Sequence, residues 1–387
     1  MTEKKHAVLS ASSAHRWLVC APSARLEEQF PDTESSHAAE GTLAHEICEL
    51  KVRQKFIKKQ SAATYKKKLK KLQENDLYQK EMDGYTEEYL DYISEIVHSF
   101  DGPPHVAVEV KVDYGHIAPE GFGTCDCIVI HSDTIHIIDF KYGKGVHVSA
   151  GSNPQLKLYA LGALKAYGLL YPVKKVAMHI VQPRINNNSR VDMIVEDLEL
   201  WAKTIKPWAE QAFKGEGEFR PSEETCRFCR AKSTCRARAE KNLELAKEEF
   251  RKPPLLSNDE VGDILIRARD IKQWVADLEE WSLKEILAGG DVTGWKAVEG
   301  KSVRSFVDIE KAFEIIKASG VDEALLYERK PITLTAVEKL LGKTEFKELL
   351  ADQVVKPAGK PTLAQEADPR EAISLRSSAE EDFKEEN

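Results

Sequence analysis

The residues with the clearest chemical potential sit on two short apolar segments either side of a polar turn. Thr124–His131 and Ile135–Lys141 read as strands joined through His131-Ser132-Asp133-Thr134, a hairpin. With a loop symmetric about Ser132 and Asp133, Asp126 falls opposite Asp139 and Thr124 opposite Lys141. Directly opposed Cβ atoms lie about 4.5–5.5 Å apart, where like charges repel. Two carboxylates so placed call for a counter-charge, which a divalent cation supplies; carboxylate oxygens favour Mg²⁺ or Mn²⁺. Ile128, Ile130, Ile135 and Ile137 share one face, so the acids stand at the end of an apolar surface. Lys141 projects to the same side as Asp139, placed to hold or activate a water beside the metal. The same three side chains also read as solvated edge charges, with Asp139 and Lys141 a plain ion pair.

Other residues bear on that choice. His45 follows Gly41-Thr42-Leu43-Ala44 at the expected start of a helix, a candidate third ligand through its neutral imidazole or a structural histidine. Gln155 and Tyr159 are spaced i and i+4 and share a helix face, suited to a phosphate backbone; core packing is the alternative for Tyr159. Glu109, on the preceding strand, is a candidate further acid or a solvent-facing charge. Of the seven cysteines, three cluster as Cys226-x2-Cys229-x5-Cys235, and Cys20 lies far upstream. Cys48, Cys125 and Cys127 sit in apolar periodic segments and read as small core residues. An odd count without a secretion signal argues against a disulfide framework. Four thiolates suit a [4Fe–4S] cluster or Zn²⁺, and spacing alone does not choose. Arg227, Arg230, Lys232, Arg236 and Arg238 form a basic collar to offset thiolate charge or contact DNA phosphates.

In order and spacing, Gly-Thr-x-x-His45, Gly-x-x-Asp126, Asp139-Phe140-Lys141 at a strand end and Gln155-x-x-x-Tyr159 resemble RecB-type nucleases of the PD-(D/E)xK superfamily. Leu9-Ser10-Ala11-Ser12 leading to Cys20-Ala21-Pro22 resembles the opening of that group's iron–sulfur members, AddB-type recombination nucleases and CRISPR-adaptation nucleases among them. The whole chain also resembles an uncharacterised phage and prophage family associated with recombination modules.

The resemblance implies a restriction-endonuclease-like α/β core, a central mixed sheet flanked by helices, with an iron–sulfur cluster and a mainly helical C-terminal extension. It implies a metal-dependent DNA nuclease, exonucleolytic by expectation, hydrolysing phosphodiester bonds in phage DNA recombination or processing. His45, Asp126, Asp139 and the Phe140 carbonyl would hold Mg²⁺ or Mn²⁺; Lys141 would position the attacking water; Gln155 and Tyr159 would position the backbone. Cys20, Cys226, Cys229 and Cys235 would hold a structural cluster, with [4Fe–4S] favoured over Zn²⁺ by the resemblance. DNA is the implied partner, together with a single-strand annealing or other recombination protein. A catalytically silent DNA-binding or scaffold subunit of the same fold is the alternative, as is a zinc-stabilised interaction protein. Intact Asp126, Asp139 and Lys141 argue against the silent subunit.

These residues need elements to hold them. Helical periodicity runs through Ser10–Phe30, from Thr42 past Val52, and through Thr86–Phe100, ending at Asp101-Gly102-Pro103-Pro104. Val106, Val108, Val110 and Val112 alternate with other residues as a half-buried strand, and Val176–Gln182 is a fourth strand. Asn153 and Pro154 announce a helix running to Tyr167, with Gly168 as its stop. Trp201–Phe213, Ser257–Leu287, Asp308–Ala318 and Thr335–Leu350 complete the helical segments. The composition divides the chain into a mixed α/β unit over 1–250, which the resemblance implies is the nuclease domain with its cysteine-ligated cluster, a mainly helical region over 251–355, and an acidic tail over 356–387 expected to be disordered.

The 387 residues, 42% hydrophobic and 31% charged, fall in the globular range. A net charge of -8 argues against a generally basic coat, yet Lys51–Lys71 carries ten Lys or Arg and no acid. That run is a candidate DNA path or a solvated helix face. No apolar run reaches the ~18 residues of a membrane span, and the opening residues lack a secretion signal. A cytoplasmic protein is expected, in the bacterial host if phage-encoded.

Overall fold

The structure, a computed structural model, describes residues 7–31, 36–247, 257–298, 308–320, 322–327, 333–350 and 353–354. The chain forms two compact units, Met1–Val298 and Glu299–Asn387. The expected disordered tail lies outside the described residues.

A five-stranded sheet organises the first unit, with β1 (His105–Asp113), β2 (Phe122–His131), β3 (Thr134–Phe140), β4 (Lys175–Gln182) and β5 (Asn187–Ile194) in that spatial order. All neighbours are antiparallel except β3 and β4, which run parallel. A parallel pair needs a crossover, and the helix α4 (Pro154–Tyr167) supplies it. Its start matches the sequence signal: the Asn153 side chain accepts the N–H groups of Gln155 and Leu156, with Pro154 in the first turn. The strand β5 escaped the sequence reading, because Asn187-Asn188-Ser189-Arg190 has little of the β-branched character that marks a strand.

Helices cover both faces. On one, Ile128, Ile130, Ile135 and Ile137 pack with α4, with the helix α5 (Val195–Lys214) and with Leu9 and Trp17 of the N-terminal segment. On the other, Val129, Ile138 and Phe140 meet α1 (Ser36–Val52) and α3 (Glu81–His98). The N-terminal periodicity read as one helix over Ser10–Phe30 is broken into short turns at Ala11–Ser13, Ala14–Trp17, Ser23–Leu26 and Glu27–Gln29.

The strand β1 does not keep to one face. Val106 and Val108 pack in the core of α1 and α3, whereas Val110 and Val112 pack on the α4 side. A regular strand places such residues together. Glu109, between the two pairs, has φ 51°, a left-handed backbone that non-glycine residues rarely adopt. Its partner position on β2, Asp126, drops out of the ladder as well, while Val108↔Cys127 and Val110↔Cys125 pair on either side. Across β2 the faces exchange too, Cys125 lying in one core and Cys127 in the other. The expectation of four valines on one face is corrected by this kink.

The basic run also divides. Lys51 is 6% exposed and donates to Glu87 at 2.7 Å and to the Asp83 carbonyl at 2.9 Å. Arg53 pairs with Glu49 and Lys55 with Ser94 Oγ, at 2.6 and 2.7 Å. The first part of the run therefore fastens α1 to its neighbours. The lysines on the helix α2 (Ala62–Gln73), with Lys58 and Lys59 before it, are exposed and keep the character of a solvated basic face.

Beyond residue 247, α6 (Arg236–Lys247) is followed by α7 (Asn258–Leu287), which opens on the capping box of Ser257 and Glu260 and lies in the first unit. The second unit contains α8 (Ile309–Ala318), α9 (Leu334–Leu341) and α10 (Lys343–Leu350). The single helix expected over Thr335–Leu350 is split at Gly342, whose φ of 82° ends the first piece. Among the described residues, no helix is long and apolar enough to cross a membrane.

A chain of buried polar rings crosses the second core. His179 Nδ1 lies 2.9 Å from the Tyr92 hydroxyl, and His179 Nε2 lies 3.1 Å from His136 Nδ1. Burial, with Arg190 and His131 adding to it, presses His136 to a pKa of about 4, and burial, with His136 and Arg190, presses His179 to about 3. The unfolded chain protonates these rings below about pH 6.5, the folded chain only near pH 4 and lower. Their contribution to stability is therefore complete above about pH 6.5 and is lost as the pH falls. Replacing His179 by Phe should shrink the drop in urea-unfolding free energy between about pH 7 and about pH 5 by up to about 2 kcal/mol. An unchanged pH slope would mean that His179 titrates alike in both states.

Candidate active site

The kink at Glu109 and Asp126 faces α1. His45 stands mid-helix, since α1 begins at Ser36 and not near Thr42 as the sequence suggests. Its Nδ1 lies 3.4 Å from Asp126 Oδ1, and Asp126 Oδ2 accepts the Phe140 N–H at 2.8 Å. One ligand atom from each of His45, Glu109 and Asp126 falls within 4.8 Å of the others. Phe140 is engaged through its N–H, and its ring meets that of His45 edge-on at 5.3 Å.

Asp139 belongs to a neighbouring group. Its Oδ1 accepts from Gln155 Nε2 at 3.0 Å, and Lys141 Nζ lies 3.0 Å from its Oδ2. The lysine also donates to Gln155 Oε1 at 3.0 Å, so its ammonium is shared between the amide and the buried Asp139 Oδ2. Gln155 thus holds both members of the pair, and its Nε2 is 3.4 Å from the Tyr159 hydroxyl. Tyr159 itself is 6% exposed and packs in the core, with its ring over Gly123. A Cβ at Gly123 would stand 2.8 Å from Tyr159 Cε1, which explains the glycine three residues before Asp126.

The hairpin register is the one expected, with Cys127↔Ile138 and Ile130↔Ile135. The repulsion expected between Asp126 and Asp139 is felt by Asp139, which Asp126 pushes up. The ladder ends before them, and each carboxylate has its own partners. Burial raises Asp126, but the His45 imidazole and the Phe140 N–H outweigh it and hold the carboxyl below its usual range. Asp139 is pushed up to about 6 by burial, against the pull of Lys141 and with the push of Asp126. Burial opposes the charge on Lys141, yet Asp139 and Asp126 raise its pKa, so it stays protonated. Glu109 is lifted to about 7 by burial and by Asp126. A cation at this point would relieve both raised acids.

Cys20, Cys226, Cys229 and Cys235 line one cavity, together with Arg16 and Lys232. Burial raises the Cys20 and Cys226 thiols and carries Cys229 to about 12, so these three are neutral until a cation draws off their protons. Cys48, Cys125 and Cys127 are buried in the two cores. Two residues overlooked in the sequence fix this cavity. Arg16 pairs with Glu27 at 2.7 Å, and Glu27 accepts the Arg230 N–H at 2.8 Å. Part of the basic collar is spent on ion pairs, while Arg227, Arg230 and Arg236 stay exposed. Arg238, 1% exposed, binds Asp270 at 2.9 Å and Asp277 at 2.7 Å; Lys232 also reaches Asp277, at 2.8 Å, and Arg227 reaches Glu223, at 3.1 Å. A role for Arg238 in phosphate contact is thereby removed.

A family model described as "Protein of unknown function (DUF2800)" matches residues 6–371. The chain belongs to the DUF2800 family. A solved structure titled "Crystal structure of SSO0001" is similar to this DUF2800 chain at 14% identity, with a TM-score of 0.25, over 54% of this chain and 98% of that one.

The unequal partners of the two aspartates can be read by melting the metal-free protein. Asp126→Ala strips the Phe140 N–H and His45 of their acceptor and should cost about 1–3 kcal/mol. Asp139→Asn keeps an oxygen for Gln155 and removes a charge that is disfavoured above the raised pKa. At about pH 8 its melting temperature should equal or exceed that of the wild type. Equal losses from both variants would show the carboxylates to be equivalent.

Proposed function

We propose that this DUF2800 protein is a Mg²⁺- or Mn²⁺-dependent deoxyribonuclease of the PD-(D/E)xK type, its sheet and helices forming a restriction-endonuclease-like core. The observation that carries the reading is the grouping of His45, Glu109 and Asp126 beside the Asp139–Lys141–Gln155 network, in which a buried Asp139 oxygen faces the Lys141 ammonium at 3.0 Å. The donor set is oxygen-rich with one imidazole, which suits Mg²⁺ or Mn²⁺. His45, Glu109, Asp126 and Asp139 would hold the ion. Bound there, it would lower the pKa of water and neutralise charge growing on a phosphate.

The chain's own residues divide the remaining work. Lys141 is held protonated by two carboxylates, so it donates hydrogen bonds to a water or a phosphate oxygen and does not act as a base. Gln155 fixes the lysine against Asp139, limiting the positions its ammonium can take. Tyr159, seated over Gly123, backs Gln155 through its hydroxyl. The four cysteines that share a cavity suit a structural [4Fe–4S] cluster, with Zn²⁺ the other metal centre their thiolates accept.

The test is anaerobic purification, metal analysis, and digestion of end-labelled linear and circular DNA with and without Mn²⁺. Asp126→Ala should abolish cleavage; full activity in that variant would sink the assignment. Lys141→Ala should lose roughly 100- to 1000-fold in rate while Mn²⁺ binding persists, because a protonated lysine has no lone pair to offer. Loss of Mn²⁺ binding would show instead that Lys141 supports the ligands.

Cys20→Ser probes the second centre. A centre tying Cys20 to Cys226–Cys235 closes a loop of roughly 200 residues, worth about 5 kcal/mol if treated as a cross-link. The variant should lose iron and visible absorbance and become protease-sensitive, whereas Cys48→Ser should keep its iron. A full iron complement in Cys20→Ser would exclude it as a ligand.

A further inference from the structure

Lys141 and Gln155 share a groove of about 800 Å³ with His15, His147, Arg227 and Phe228. The groove therefore joins the candidate catalytic network to the cysteine-bearing segment. Phe228 is 61% exposed, while Cys226 and Cys229 on either side of it are each 7% exposed. Scattered exposed apolar side chains need no explanation. Phe228 differs because its backbone is fixed from both sides: Cys229 N–H bonds the Cys226 carbonyl at 3.0 Å, and Arg230 N–H bonds Glu27 at 2.8 Å. The His147 segment is equally constrained, since the buried Gln182 donates to the Val146 carbonyl at 2.8 Å and accepts the Val148 N–H at 3.2 Å.

Size and charge define what the groove can take. Its volume is in the range of pockets for small ligands, about 300–1,000 Å³, a size that accepts a nucleotide or a short single strand. Lys141 and Arg227 bring positive charge, but Glu223 and Glu224 line the same groove, and Glu223 is 3.1 Å from Arg227. Duplex binding draws chiefly on cations along the phosphates. A single strand also uses cations along its backbone but adds stacking of its bases, which Lys141, Arg227 and the fixed, exposed Phe228 ring can together supply.

The geometry points to Phe228 as a stacking platform for a base of single-stranded DNA whose backbone passes Lys141. A single-stranded end is then the form of substrate the site accepts; this rests on the nuclease reading above. Phe228 is a positioning residue, with no part in the chemistry at the phosphate.

The full chain, in buffer free of divalent ions, is titrated into single-stranded and duplex oligonucleotides by fluorescence anisotropy. A parallel single strand carries 2-aminopurine, whose emission is quenched on stacking. The wild type should prefer the single strand and quench the probe. Phe228→Ala should weaken single-strand binding roughly 5- to 150-fold, the range one stacked base contributes, and abolish the quenching. Phe228→Trp should keep both, and duplex affinity should be equal in all three proteins. The inference is overturned if the alanine variant binds and quenches as the wild type does. It is overturned also if Ala and Trp lose binding alike, since Phe228 would then act through the fold of its turn, or if the wild type prefers the duplex. Cleavage is scored separately with Mn²⁺. A wild type that binds and quenches but cuts nothing retains the platform and loses the nuclease; one that cuts at an unchanged KM after Phe228→Ala retains the nuclease and loses the platform.

Discussion

The backbone of Glu109 is the constraint from which the site follows. A left-handed residue other than glycine costs about 1–3 kcal/mol and persists only where its surroundings dictate it. Here the surroundings are two cores that each take two valines of β1, which a regular strand of this register cannot provide. The same rotation removes Asp126 from the ladder, although Cys125 and Cys127 remain paired. Its carboxylate is then able to reach both His45 on α1 and the Phe140 N–H on β3. Strain in the strand and the convergence of the three potential ligands are one event.

Electrostatics then separates two carboxylates that lie close in the sequence pattern. Asp126 has a hydrogen-bond donor and an imidazole and is held ionised, whereas burial pushes Asp139 up to about 6 against the pull of Lys141. Environments that push paired acids apart in this way assign them different work. Asp126 is a ready anionic ligand. Asp139, with Gln155, is chiefly what keeps Lys141 charged and in place.

Much of this was legible in the residues. The hairpin register followed from the turn, and the crossover helix from Asn153 and Pro154, because both signals are local. Glu109 was visible as an acid on a strand but not as a neighbour of His45. Period-2 alternation places it on the outer face, and nothing in Val108-Glu109-Val110 announces the rotation. The start of α1 was misplaced because Ser36–Gly41 has no apolar periodicity to extend the helix. Arg16, Glu27 and Gln182 were overlooked for a different reason: single charged or amide residues carry no pattern, and Glu27 and Gln182 meet partners far away in the chain.

The cysteine segment illustrates what long-range polar contacts do where apolar packing is thin. It joins the N-terminal turns through Glu27 and the helix α7 through Asp277, whose backbone carbonyl also accepts from Ser233 at 3.1 Å. Trp274 adds an indole N–H to the Ser233 carbonyl at 3.3 Å. Buried ion pairs of this kind contribute little net stability, since desolvation offsets most of the attraction. They do penalise misplacement, because a displaced Asp277 leaves Arg238 and Lys232 without a shared counter-charge. The arrangement thereby fixes where the segment sits, with Cys226, Cys229 and Cys235 directed into the cavity that Cys20 enters from the other end of the domain. A segment so fixed presents Phe228 and Arg227 to the groove of Lys141, so the cysteines help to set the position of that groove's wall without lining it.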